Sequence, residues 1–89
     1  MVYYVYILKS LKDNSFYIGQ TRNLEERLQR HNTGRSRFTR DKNPWIIVYS
    51  EKFPTQQEAL KKETEIKNKK SRKYIEYLIN KSPDEHRGT

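Results

Sequence analysis

Phenols, a guanidinium, an imidazole and a carboxylate stand in this chain at spacings that simple geometry can bring together. Tyr6 closes the tripeptide Tyr4-Val5-Tyr6, and Tyr17 opens Tyr17-Ile18-Gly19 after a polar break. Arg27 follows ten residues after Tyr17, with His31 four residues further on and Glu63 much later. Hydroxyls hold water or relay protons, a planar fork matches two phosphate oxygens, and a carboxylate holds a hard cation. Together they point to chemistry on a phosphate. The charge balance agrees: Lys and Arg number 19 against 11 Asp and Glu, giving a net charge of +8, which favours a polyanion as partner.

Secondary structure must position these groups. Val2 to Leu8 is β-branched and aromatic and predicts a strand. Asp13-Asn14-Ser15 is turn chemistry, and Phe16 to Gln20 predicts a second strand, so the pair forms an antiparallel hairpin. Asn23 is the expected N-cap of a helix running to about His31, with Glu26 at the position that bonds back to it. Leu24 and Leu28 form its buried stripe, which puts Arg27 and His31 one turn apart on the edge of that stripe. Thr33-Gly34 ends the helix, with Gly34 as a left-handed cap.

A basic loop over 35–44 leads to a third strand, Trp45 to Ser50, whose unbroken apolar run predicts cover on both faces. Thr55-Gln56-Gln57-Glu58 is a capping box that opens a helix over 56–69, and Ser71 caps a third helix with Tyr74, Ile75, Leu78 and Ile79. The order ββαβαα predicts an α+β fold: a small three-stranded antiparallel sheet flanked by helices. Residues 1–81 are expected to form one domain and 82–89 a polar, flexible tail.

The second helix holds an anomaly. On a wheel with Ala59 at the origin, Glu63 falls at about 40° and Ile66 at about −20°, so Glu63 lies within the apolar stripe while Glu65 lies opposite. A carboxylate facing a core must be paired or bound to metal. A salt bridge to Arg27 and a metal site both fit the pattern.

Composition narrows the setting. A chain of 89 residues forms one domain with a small core. It has no cysteine, hence no disulfide or thiolate metal site, and a cytoplasmic location is expected. The longest apolar run, Trp45 to Tyr49, is too short to span a membrane, so no membrane partner is expected. Positive charge clusters at Arg35, Arg37, Arg40 and Lys42, and again at Lys67, Lys69, Lys70, Arg72 and Lys73. The first cluster is interleaved with Phe38, which suits backbone contact plus base stacking, although a solvated loop has the same composition.

These residues resemble the GIY-YIG nuclease superfamily, particularly its small stand-alone bacterial members. Tyr4-Val5-Tyr6 takes the place of the first motif and Tyr17-Ile18-Gly19 that of the second. Gln20 to Leu24 followed by Arg27 is similar to the third block, and Glu63 to the acidic metal ligand on a later helix. The likeness covers about residues 2–79. Tyr4 stands where the first motif often has glycine, and Gln20 where some members have a lysine near the phosphate. Some members also have a late active-site asparagine, which neither Asn68 nor Asn80 clearly matches.

The resemblance implies metal-dependent hydrolysis of phosphodiester bonds in DNA, with Tyr6, Tyr17, Arg27, His31 and Glu63 as catalytic residues. Glu63 would hold a divalent cation, Mg²⁺ first and Mn²⁺ as the alternative. Arg27 would grip the scissile phosphate. Tyr6 would position or deprotonate the attacking water, its pKa lowered by Arg27 and the metal. Tyr17 would orient water or bond the phosphate, and His31 would relay a proton. Arg35, Arg37, Arg40, Lys67, Lys69 and Lys70 would contact the backbone of a nucleic acid, DNA first, bound by a monomer or a weak dimer.

Other readings stand beside this one. On their own the two tyrosines read as cross-strand aromatic partners, and His31 as a helix-end histidine near the C-terminal dipole. Gln20 favours a nucleic-acid-binding module of the same fold with little or no activity. A structural domain with an incidental basic surface is the third possibility.

Overall fold

The computed structural model describes residues 2–35, 37–69 and 71–81. The expected tail over 82–89 lies outside the described residues, as does Lys70. The observed order is β1 (Tyr3–Ser10), β2 (Phe16–Thr21), α1 (Leu24–Asn32), a 3₁₀ turn (Arg40–Lys42), β3 (Trp45–Phe53), α2 (Gln56–Lys69) and α3 (Arg72–Lys81). This is the expected ββαβαα arrangement. The strands pair antiparallel in the order β2-β1-β3, which makes the first strand the centre of the sheet.

Local signals set most boundaries. Asn14 takes φ 65° in the hairpin turn, and the Asp13 carboxylate accepts from the Ser15 amide at 3.0 Å. Asn23 caps α1 by accepting from the Glu26 amide at 3.0 Å. Gly34 follows the helix with φ 80°, a conformation that a Cβ would strain. Thr55 and Ser71 cap α2 and α3 by accepting from the amides of Glu58 and Tyr74, each at 3.2 Å.

Strand alternation divides β1 between two cores. Val5 and Ile7 face one side and pack with Tyr49, Ala59, Ile66, Ile75 and Leu78, beneath α2 and α3. Tyr6 and Leu8 face the other, with Trp45, Tyr17, Leu24 and Leu28, beneath α1. All four β1 residues are buried. β1 is the most fully covered strand; β3 is also covered on both faces, Tyr49 and Val48 packing beneath α2 and α3 and Trp45 and Ile47 beneath α1. The third strand lies at an edge of the sheet, and Ile46 is 41% exposed.

Candidate active site

The hairpin register does the first piece of positioning. Tyr6 lies opposite Gly19, so Tyr17, two residues earlier in β2, is its diagonal neighbour on the same face. Their ring centroids are 6.4 Å apart. A Cβ added to Gly19 would lie 2.6 Å from the Tyr6 hydroxyl oxygen. The phenol therefore rests in the space that a side chain at Gly19 would fill. A glycine inside a strand is a recognisable signal of such close approach.

The first helix brings in the imidazole. His31 is 2% exposed, and its Nε2 lies 3.3 Å from the Tyr6 hydroxyl. Its Nδ1 lies 2.7 Å from Oγ1 of Thr39, itself buried. The Tyr17 ring packs against it with centroids 4.8 Å apart. His31 is thus no exposed helix-end residue. Burial, reinforced by the charges of Arg27 and Arg30, lowers its pKa below the ordinary histidine value, so the ring is neutral at neutral pH. A neutral ring has one donor nitrogen. Arg27 donates a hydrogen bond to the Tyr6 hydroxyl oxygen, so the phenol's own proton is left for Nε2 and Nδ1–H for Thr39.

Arg27 lies beside this pair. Its Nε is, among the described residues, a buried donor with no hydrogen-bond partner. An unsatisfied buried donor costs about 1–3 kcal/mol, and more when charged. Burial pushes the Tyr6 phenol far above its usual value, Tyr17 adds to this, Arg27 opposes it, and the Glu63 carboxylate raises it further. Burial thus acts against the lowering expected from Arg27 and a cation together, and in the protein alone the phenol keeps its proton and can donate it. The same interactions bring Arg27 and Glu63 within electrostatic range of one hydroxyl.

Glu63 approaches from the helix on the other side of the sheet. Its side chain is 13% exposed, against 47% for Glu65, so the anomaly in the apolar stripe is real. Leu60, by contrast, is 52% exposed. The carboxylate is not paired with Arg27. Gln20 Nε2 donates to Oε1 at 3.0 Å, and Lys67 Nζ sits 2.7 Å from Oε2. Among the described residues no group of three or more histidine, cysteine, aspartate or glutamate side chains could hold a metal. A lone carboxylate that already binds one cation suits a hydrated hard ion, since Mg²⁺ keeps most of its waters where protein ligands are few.

The remaining expected residues fall in two places. Arg35, Arg37 and Arg40 are exposed on the loop after α1. This loop is tied to the site: Trp45 Nε1 donates to the Thr39 carbonyl at 2.9 Å, and Thr39 holds His31. Lys67 is committed to Glu63, and Lys69 lies 5.4 Å over the Tyr74 ring. Lys70 lies outside the described residues. Sequence reasoning missed Gln20 as the partner of Glu63 and Thr39 as the partner of His31. Both contacts join different elements, so no periodicity or cap announces them.

Comparison with known proteins agrees with this architecture. Residues 2–75 match the model of the GIY-YIG catalytic domain. The UPF0213 protein SH2523 of Staphylococcus haemolyticus is 46% identical over 66 residues, covering 73% of this chain and 79% of its own. The UPF0213 protein CPE1444 of Clostridium perfringens is 41% identical over 80 residues, covering 89% and 85%. The solution NMR structure of the UPF0213 protein BH0048 from Bacillus halodurans superposes with a TM-score of 0.58 at 37% identity, covering 90% of this chain and 84% of that one. The sheet, its three helices and both tyrosine motifs thus identify the chain as a member of the GIY-YIG family, with the UPF0213 proteins among its relatives.

Proposed function

We propose that this protein is an endonuclease that hydrolyses phosphodiester bonds in DNA, with Tyr6, Tyr17, Arg27, His31 and Glu63 as its site. The observation that carries the reading is the buried Nε of Arg27, unpartnered among the described residues, beside the Tyr6–His31 pair. A phosphate oxygen satisfies that donor, and the planar fork offers Nη to a second oxygen. Glu63 is the residue that would hold a divalent cation, which when bound supplies charge neutralisation to the phosphate and acidifies water.

Each protein group then has one task. Arg27 binds the non-bridging oxygens and stabilises the charge that grows on them. Tyr6 positions the attacking water at its hydroxyl. As the water oxygen bonds to phosphorus and the P–O ester bond breaks, the water proton passes to Tyr6, whose own proton moves to Nε2 of His31, and the released ester oxygen takes a proton from solvent to leave as the alcohol. A phosphate on Arg27 offsets one of the charges that keep His31 neutral, so this transfer becomes easier once substrate is bound. Tyr17 packs against the imidazole and keeps the ring in register with Tyr6. Arg35, Arg37, Arg40 and Lys69 contact the strand on either side.

One observation favours the second reading, a binding module of low activity: Gln20 and Lys67 already satisfy both oxygens of Glu63. A nicking assay separates the two. Supercoiled plasmid is incubated with the protein in Mg²⁺, Mn²⁺ or EDTA, with Glu63→Ala and Arg27→Ala alongside. The nuclease reading predicts metal-dependent nicking by wild type that both variants lose while still shifting DNA in a gel. A folded wild type that shifts DNA and never nicks it would leave the binding module.

A further inference from the structure

Phe38 has the strongest claim to a task not yet assigned. It is 84% exposed, whereas the other large exposed apolar side chains described, from Ile46 to Tyr77, range from 41% to 56%. An aromatic ring fully in water is costly to keep, and a loose loop usually folds it back. This loop is not loose. Thr39, the next residue, is 1% exposed and holds His31 by its hydroxyl, while its carbonyl accepts from Trp45 Nε1 at 2.9 Å and from the Lys42 amide at 3.1 Å. Ser10 Oγ donates to the Lys42 carbonyl at 2.6 Å and Lys12 Nζ to that of Asp41 at 3.0 Å. The backbone is fastened directly after a ring that stands outward.

The surroundings select the partner. Arg35, Arg37 and Arg40, all exposed, flank the ring in sequence. A second copy of this basic patch would repel the first, so self-association through it is disfavoured. One lone ring buries little in a lipid surface. A strand of nucleic acid offers both what the arginines attract and what the ring stacks on. Bases stacked within a duplex present only their edges, so the ring requires a base released from the stack.

We propose that Phe38 is a stacking platform for one unpaired nucleobase, and that the substrate carries such a base beside the phosphodiester that is cut. The proposal rests on the nuclease reading for the word substrate, and on the pinned loop for the stacking itself. Phe38 is joined through Thr39 and His31 to Tyr6 by two hydrogen bonds, so a base held there sets the register of the strand at the site.

The test is a binding titration in EDTA with two DNA oligonucleotides, a perfect duplex and the same duplex with a single bulged 2-aminopurine. Wild type is expected to bind the bulged DNA more tightly and to quench the 2-aminopurine. Phe38→Ala and Phe38→Leu should lose roughly 5- to 150-fold affinity for the bulge alone, and Phe38→Trp should retain it. Arg37→Ala should weaken both DNAs alike and reduce the salt slope by about one. Equal binding of the bulge by wild type and Phe38→Leu would overturn the proposal. So would binding to anionic phospholipid vesicles that depends on Phe38 in the absence of quenching. Cleavage plays no part in this titration. A protein that never nicks plasmid but quenches through Phe38 loses the nuclease reading and keeps the platform. One that nicks normally as Phe38→Leu on bulged DNA loses the platform alone.

Discussion

The two faces of β1 are built from alternate residues of one short strand, yet they are different materials. Beneath α2 and α3, Val5 and Ile7 meet a core of aliphatic side chains and Tyr49, with further aromatics at its margin. Beneath α1, Tyr6 and Leu8 meet an aromatic core that also holds a buried imidazole and a buried threonine hydroxyl. A sheet of three strands cannot spread stability and chemistry over separate regions. It separates them by side instead, and the period of two in a strand does the sorting. The face beneath α1 buries polar groups at a cost, while from the α2 side Glu63 adds one largely buried carboxylate held by Gln20 and Lys67.

The sharpest way to break that comparison is to substitute one residue on each face. Ile7→Ala is expected to lower unfolding free energy by about 2–5 kcal/mol, a large share of a small domain's total. Tyr6→Phe should cost only about 0.5–1.5 kcal/mol, the value of one hydrogen bond, yet reduce nicking about a hundredfold. Denaturant unfolding and plasmid nicking of both variants give the answer. Equal losses of stability would erase the distinction between the faces.

Gly19→Ala probes how tightly the wet face is built. With a Cβ 2.6 Å from the Tyr6 hydroxyl, about 1–3 kcal/mol of overpacking is expected, with nicking reduced as in Tyr6→Phe. In the double variant Gly19→Ala/Tyr6→Phe the costs should be less than additive, by at least about 0.5 kcal/mol. Strict additivity of the unfolding free energies would mean that the two residues do not share one space.

The buried imidazole makes the same face sensitive to acid. The folded pKa of His31 lies below its unfolded value near 6.5, so between the two the unfolded chain binds more protons and stability rises with pH. Above about pH 7 both states are neutral and the contribution from His31 is flat. Melting temperature should therefore fall as pH drops through 6.5, and His31→Gln should flatten that segment of the curve. An unchanged slope in the variant would assign the acid sensitivity elsewhere.

The smallest effect is expected where the two faces meet at Glu63. Lys67 occupies Oε2 as a competing cation, but its side chain is 54% exposed, so the pair is worth at most about 1 kcal/mol. Lys67→Ala should tighten Mn²⁺ binding, followed by electron paramagnetic resonance, by no more than about fivefold. Weaker binding in the variant would show that Lys67 supports the cation site instead of competing for it.

Much of this was legible in the chain because the signals are local. Asn23, Gly34, Thr55 and Ser71 mark helix ends by hydrogen bonds within a few residues, and the structure uses each of them. Strand alternation made Tyr6 and Tyr17 cross-strand partners and one helical turn aligned Arg27 with His31; that these pairs meet was implied only by the resemblance. Glu63 was visible as a charge on an apolar stripe. Hidden were the contacts that join elements distant in sequence: Gln20 with Glu63, Thr39 with His31, and the nesting of Tyr6 over Gly19. The place of β1 at the centre was hidden for the same reason. Strand order is decided by which edges pair, and the hydrophobic run in Trp45 to Tyr49 carries no record of that.

Trp45 is the chain's single tryptophan, and its indole N–H is bonded to the carbonyl of Thr39. The molecule therefore carries an optical label at the root of its basic loop. Indole emission depends on the polarity and hydrogen bonding of its surroundings, and here the acceptor is a residue that also holds His31. Any displacement of the loop lengthens that bond and changes the colour and intensity of the emitted light. Loop position, and through it the state of the imidazole, can thus be followed in the unlabelled protein with a fluorimeter.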